Sequence, residues 1–280
     1  MCRMWLYRVD LIIKSLKMKK TKNALLIIDA QVDFCDPNGS LYVPGAEDDM
    51  ARVGNFIAKN QNQIDYIGLT MDSHQVVDIS HPGFWQDKDG NLPGPFTQIT
   101  SADISSGKWS PRFYPVEATT YVSELEKQGE FPHFIWPEHC IIGSPGAAIM
   151  PKVIEAVEAW CRARGEFHQV VTKGTWPLTE HFGAFRANVP VEGHPETQLN
   201  ANLIHKLEKF ENVYFAGEAK SHCVANTLRQ AMQFPELAKK FVVLEDCMSD
   251  VPTLGFLGDA TYTAAKAMGI RFVKSTDITL

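Results

Sequence analysis

Six short apolar runs set the frame of this chain. Ala24 to Ile28, Tyr66 to Thr70, Val170 to Thr172, Val213 to Ala216, Phe241 to Leu244 and Ile270 to Val273 each have the length and content of a strand. Their unbroken apolar character, without alternation, fits strands covered on both faces. Helical periodicity fills most of the gaps between them. It runs over Asp48 to Asn60 (through Met50, Val53, Phe56 and Ile57), Ala147 to Arg164, Leu199 to Phe210, Cys223 to Phe234 and Gly258 to Met268. Strands alternating with helices predict an α/β chain with a Rossmann-like parallel sheet between two layers of helices.

Residues 75 to 145 break this rhythm. They are rich in Pro, Gly, Trp and Phe, and only Val116 to Gln128 has a helical pattern. A stretch of that length without regular structure is usually functional, so it is expected to fold over the sheet as a lid or an interface. Residues 1–22 read as a poorly ordered N-terminal extension. Apolar and basic residues mix from Trp5 to Leu16, without the longer apolar core and small-residue cleavage site of a signal peptide. This leaves 23–280 as a single domain with a long insertion at about 86–133.

Composition removes several classes of function. A net charge of −6 gives no electrostatic footprint for nucleic acid, and no apolar run reaches membrane-spanning length. The six cysteines, at 2, 35, 140, 161, 223 and 247, lack short paired spacing. That argues against a disulfide framework or a zinc knuckle, and for a reducing, cytoplasmic compartment.

Reactive side chains fall at the ends of the strands. Asp29 ends the first, Asp72 the second and Lys173 the third, and Cys223 follows the fourth. In an open parallel sheet, ligands bind at the carboxyl ends of the strands, so these four share one rim. Singly, each has an ordinary explanation: a helix cap, a turn residue, a solvated lysine, a small apolar residue under a helix. Jointly they make an acyl-transfer site without a catalytic histidine. Cys223 opens a helix, where free N–H groups and the macrodipole favour a thiolate. Asp29 is placed to take the thiol proton, and Lys173 to keep that carboxylate ionised. The N–H groups of Ala219 and Cys223 would hold an oxyanion.

A second cluster follows Asp72. Asp72-Ser-His74 puts two donors on one side of an extended segment, His81 follows, and Trp136-Pro-Glu-His139 lies further on. One carboxylate with two or three imidazoles suits a divalent Zn, Mn or Fe ion. Taken one at a time, each histidine is more often a surface or capping group.

Together these residues resemble the isochorismatase-like cysteine hydrolases, and the nicotinamidases among them most closely, from about Ala24 to the C-terminus. Four motifs carry the resemblance: Leu-Ile-Ile-Asp29-Ala-Gln31-Val-Asp33-Phe34; Asp72-Ser-His74 with His81 and Trp136-Pro-Glu-His139-Cys140; Lys173-Gly174; and Gly217-Glu-Ala219-Lys-Ser-His222-Cys223-Val. The resemblance implies a six-stranded parallel sheet between helices, usually oligomeric, with a cis peptide before Ala219. It implies Asp29, Lys173 and Cys223 as the catalytic set and a small-molecule amide as substrate. It implies metal ligands Asp72, His74 and His139, with His81 close or acting through water. Phe34 and Trp136 would sandwich the substrate ring, with Gln31 also at the substrate. The pattern departs from the family at Phe182-Gly183-Ala184-Phe185, where nicotinamidases carry Tyr-Ser-x-Phe, and in its longer 86–133 loop.

Two other readings stay open on the sequence. One keeps the site and changes the substrate to another small carboxamide or an N-carbamoyl compound, although carbamoyl hydrolases typically lack the metal ligands. The other is a non-catalytic Cys/His metal-binding or redox-sensing domain on a retired hydrolase scaffold, which predicts no ammonia from any amide. Isochorismate hydrolysis is disfavoured by the presence of Cys223.

Overall fold

A computed structural model describes residues 21–129 and 131–280. The expectation for the N-terminal extension lies almost wholly outside the described residues. In chain order the elements are β1 (Asn23–Ile28), α1 (Val32–Cys35), α2 (Ala46–Lys59), β2 (Ile64–Asp72), β3 (Trp85–Gln86), α3 (Ser101–Ser105), β4 (Ser110–Pro111) and α4 (Pro115–Lys127). Then come α5 (Pro151–Arg164), β5 (Gln169–Lys173), α6 (Ala201–Leu207), β6 (Asn212–Gly217), α7 (Ala225–Ala231), α8 (Pro235–Ala238), β7 (Phe241–Leu244), α9 (Phe256–Ala267) and β8 (Arg271–Val273).

The apolar runs pair as one parallel sheet of six strands in the order β5-β2-β1-β6-β7-β8, flanked by helices. The edge strands β5 and β8 are the most exposed, and every residue of β1 and β7 is buried. The chain starts in the middle, steps outward through β2 to β5, then jumps back across β1 to β6 and steps the other way. Sequence order therefore reverses between β1 and β6, and a cleft opens at their carboxyl ends. The two strands stay in register through Ile28 and Gly217. A Cβ on Gly217 would lie 2.0 Å from the Ile28 carbonyl oxygen, so glycine alone permits this close approach.

Helix boundaries follow local chemistry more than periodicity. The α5 helix begins at Pro151, after a separate 3₁₀ turn at Pro145–Ala147, because proline fits the first turn of a helix. The α6 helix begins at Ala201 because the Asn200 side chain accepts the Leu203 N–H as an N-cap.

The long segment between β2 and β5 has a small core of its own. Trp85, Ile99, Tyr121, Val122, Leu125 and Ile135 are buried together, under the β3–β4 hairpin and α4. Their burial anchors the insertion, so it is not a loose loop. Among the described residues, no helix is long and apolar enough to cross a membrane. The cysteines at 35, 140, 161, 223 and 247 are free.

Candidate active site

The four strand ends do share one rim. Lys173, only 1% exposed, lies at the centre. Its Nζ is 2.7 Å from Asp29 Oδ2, 3.1 Å from Asp72 Oδ1 and 3.6 Å from Cys223 Sγ. Asp29 turns into the cleft through a left-handed backbone, with φ at 43°. For a residue other than glycine that conformation is costly and is typical of functional positions. The Thr70 hydroxyl donates to Asp29 Oδ1 at 2.6 Å, and Thr70 Oγ1 accepts the Asp29 N–H at 2.9 Å.

The nucleophile turn differs from the expected helix start. Residues Lys220–Val224 form a wide π turn, and α7 begins only at Ala225. The Val224 N–H reaches back five residues to the Ala219 carbonyl at 3.2 Å. Such turns recur at functional sites. The Glu218–Ala219 peptide is cis, as the resemblance implies. Among the described residues the Ala219 N–H is committed to no backbone carbonyl.

Burial overrides the expected preference for thiolate at Cys223. It holds the thiol well above its usual range, and the nearby Lys173 ammonium offsets only part of this. The resting sulfur therefore carries its proton and needs a base. Asp29 fits that role: burial raises its proton affinity, opposed in part by Lys173 and the Thr70 hydroxyl. Burial also works against a charged Lys173, but Asp29 and Asp72 outweigh it and hold the ammonium well above its ordinary value.

Asp72, His74 and His139 form a tight donor set. One ligand atom from each lies within 4.8 Å of the others, and all three residues are buried. His74 Nε2 is 3.1 Å and His139 Nε2 3.6 Å from Asp72 Oδ2. The other imidazole nitrogens are anchored outward. His74 Nδ1 meets Asp78 Oδ2 at 2.9 Å, and His139 Nδ1 donates to the Pro137 carbonyl at 2.8 Å. Such outer partners fix the ring and leave Nε2 for a cation, so these residues fit a divalent metal. His81 lies beside the set, with its ring 5.1 Å from that of His74. Burial lowers its pKa to about 4, which leaves it a neutral imidazole.

Between donor set and sulfur runs a narrow pocket. It is lined by Asp72 and His139, by Ala219 and Cys223, and by the rings of Phe34, Trp136 and Phe182. Both expected aromatic walls are present, and Phe182 is a third that the sequence left without a role. Gln31 does not line the pocket. It is wholly buried, and its amide is spent on the Asp72 backbone (2.7 and 2.8 Å) and the Ala147 carbonyl (3.1 Å). It therefore orders the metal-side loop instead of meeting a substrate. At Gly183 a Cβ would lie 2.2 Å from Gln230 Oε1, so the Gln230 side chain fills the space beside this glycine.

Several supporting residues had no assigned role in the sequence. Asp78 stands four residues after His74, a spacing that hinted at it. Thr70 is a lone hydroxyl near the end of an apolar strand. Glu180, which accepts the Trp136 indole N–H at 3.1 Å, gave no local signal. Burial lifts its pKa to about 8.

No protein-family model matches the chain. A nicotinamidase of Saccharomyces cerevisiae is 26% identical over 222 residues, 79% of this chain and 85% of that protein. The yeast nicotinamidase structure bound to the inhibitor nicotinaldehyde aligns with a TM-score of 0.61 at 21% identity, covering 90% of this chain and 99% of that one. A pyrazinamidase of Pyrococcus horikoshii in complex with zinc aligns at 0.53 and 20% identity, with coverage of 90% and 99%. The chain has the isochorismatase-like hydrolase fold of these structures, and proteins that it is similar to in sequence are nicotinamidases.

Proposed function

We propose that this chain hydrolyses nicotinamide to nicotinate and ammonia through a thioester on Cys223. The observation that carries the reading is the position of Lys173 Nζ, 2.7 Å from Asp29 and 3.6 Å from the Cys223 sulfur, in a buried rim. The likeness to nicotinamidases supports the choice of amide.

The thiol gives its proton to Asp29 as the sulfur attacks the carboxamide carbon. Lys173 steadies the negative charge that forms on the sulfur. The N–H groups of Ala219 and Cys223 take the charge on the carbonyl oxygen. As the C–N bond breaks, Asp29 returns the proton to nitrogen and ammonia leaves. Water then attacks the thioester with Asp29 as base, and the released thiolate recovers its proton. Phe34, Trp136 and Phe182 hold a flat ring and exclude water. A divalent cation on Asp72, His74 and His139, with His81 adjacent, would supply a Lewis acid for the ring nitrogen; imidazole and carboxylate donors suit zinc.

A second reading, another small carboxamide, is favoured by Phe182-Gly183 standing in place of a hydroxyl pair beside the pocket. Ammonia release from nicotinamide, pyrazinamide and N-carbamoyl compounds, with and without chelator, separates the two. The expected result is release from nicotinamide that falls after chelation and returns with added zinc. Release from another amide with none from nicotinamide would favour the second reading.

A further inference from the structure

Glu218 is a wholly buried acid that the chemistry above does not use. It sits one residue before Ala219, on the backbone that leads into the reacting turn. Its Oε2 accepts the Ser249 N–H at 3.0 Å. Its Oε1 receives no N–H or O–H from a neutral or cationic group among the described residues. A second buried carboxyl, Asp49 on α2, holds the same serine, and its charge acts on Glu218. Asp49 is already occupied by donors: Arg52 Nη2 at 2.6 Å and the Ser249 hydroxyl at 2.5 Å. Two acids on one buried serine, with only Asp49 paired to a cation among the described residues, cannot both ionise at low cost, so Glu218 keeps its proton.

Ser249 is consequently held from three sides. Its N–H goes to Glu218, its hydroxyl to Asp49, and its carbonyl accepts the Lys220 N–H at 2.8 Å. Glu218 and Lys220 flank Ala219. The acid pair and Ser249 thus brace the backbone on both sides of one proposed oxyanion donor.

We propose that Glu218 is a positioning residue that joins Asp49 in clamping Ser249 and α2 to the turn that carries Ala219 and Cys223. The inference rests on the reading of that turn as the reacting one. Burial first, and then the Asp49 charge, hold the Glu218 acid well above the usual carboxylate range. The other groups around it do not remove the need for that proton. Asp250, after β7, adds negative charge and pairs with Lys220 at 3.0 Å. Cys35 on α1 and Tyr262 on α9 are themselves held protonated, by burial first and then by charges that include Glu218. Arg52 is engaged by Asp49.

The test uses Glu218→Gln and Glu218→Ala in the full-length protein. Glutamine keeps the shape and accepts from Ser249, but cannot ionise. Wild-type stability should fall as pH rises above the ordinary glutamate range, because the unfolded chain releases this proton and the folded chain retains it. Glu218→Gln lacks that loss, so its melting temperature should gain on wild type steadily from pH 5 to pH 8. In the amide assay Glu218→Ala should lose about tenfold or more in kcat with KM within about twofold, as expected for one lost buried interaction. Glu218→Gln should restore most of that turnover. A melting gap that stays constant with pH would overturn the neutral, buried Glu218. Full kcat in a folded Glu218→Ala would overturn the positioning role. The melting comparison needs no substrate, so it stands even if nicotinamide proves to be the wrong amide.

Discussion

Cys223 and Asp29 depend on each other because burial acts on both in the same direction. It keeps the proton on sulfur and raises the affinity of the carboxylate that must receive it. A base of this kind works only while unprotonated, so the rate should fall in acid, starting above the ordinary carboxylate range. Thr70 sets where. Its hydroxyl, 2.6 Å from Asp29 Oδ1, favours the ionised form. Thr70→Val removes that bond, so Asp29 should hold its proton to higher pH. The acid limb of kcat/KM should move toward neutrality, with a loss of about tenfold at pH 6, the order of one buried hydrogen bond. A limb that does not move would remove Asp29 from the role of base. The meeting of Asp29, Lys173 and Cys223 was legible because strand ends can be read from hydrophobic runs. Thr70, Phe182 and Glu180 were not, since their value lies in what the fold brings beside them. Gln31 was misjudged for the same reason: nothing local shows that its amide is consumed by the Asp72 backbone.

At the level of elements, the short α1 helix ties the two halves of the site together. Asp33 reaches out of it to accept the Cys140 N–H at 2.6 Å and the Ser40 N–H and hydroxyl at 3.1 Å. Cys140 follows His139 and has a left-handed backbone, with φ at 48°, so this carboxylate fixes how the metal-side loop presents its imidazole. Asp33→Ala leaves buried donors without partners and should cost about 2–3 kcal/mol in urea unfolding. Zinc affinity should fall with it. A loss of stability with unchanged zinc affinity would make Asp33 a purely structural staple. Periodicity located α1 poorly, because four residues give no repeat to read. It also extended α7 back to Cys223, where apolar spacing continues but the backbone widens into a π turn. Spacing reports which face is buried and is insensitive to whether a turn closes over four residues or five.

Across the whole molecule, polar chemistry is packed into the interior at many points. His133, under the insertion, and His181 and His222, near the site, are buried and neutral; burial lowers their pKa values to about 4, 3 and 4. An unfolded histidine binds its proton near pH 6.5, so between there and pH 4 the unfolded chain holds more protons than the folded one. This stability is full above pH 6.5 and is lost as pH falls, by about 3 kcal/mol for His133 alone. The melting temperature should therefore drop steadily below pH 6.5, and His133→Phe should flatten part of the slope. Indifference to pH between 7 and 5 would contradict the burial assigned to these rings. The parallel sheet was legible from the apolar runs and the helical patterns between them. The separate core of the insertion was not, because it is assembled from scattered large residues such as Trp85, Tyr121 and Ile135.

The central claim is that the sulfur of residue 223 carries the acyl group. Enzyme quenched in acid during turnover of nicotinamide, digested and weighed by mass spectrometry, tests it directly. The account predicts a nicotinoyl group on the peptide containing Cys223, no adduct on the other cysteines, and neither adduct nor ammonia from Cys223→Ala. Undiminished ammonia release by Cys223→Ala would contradict it.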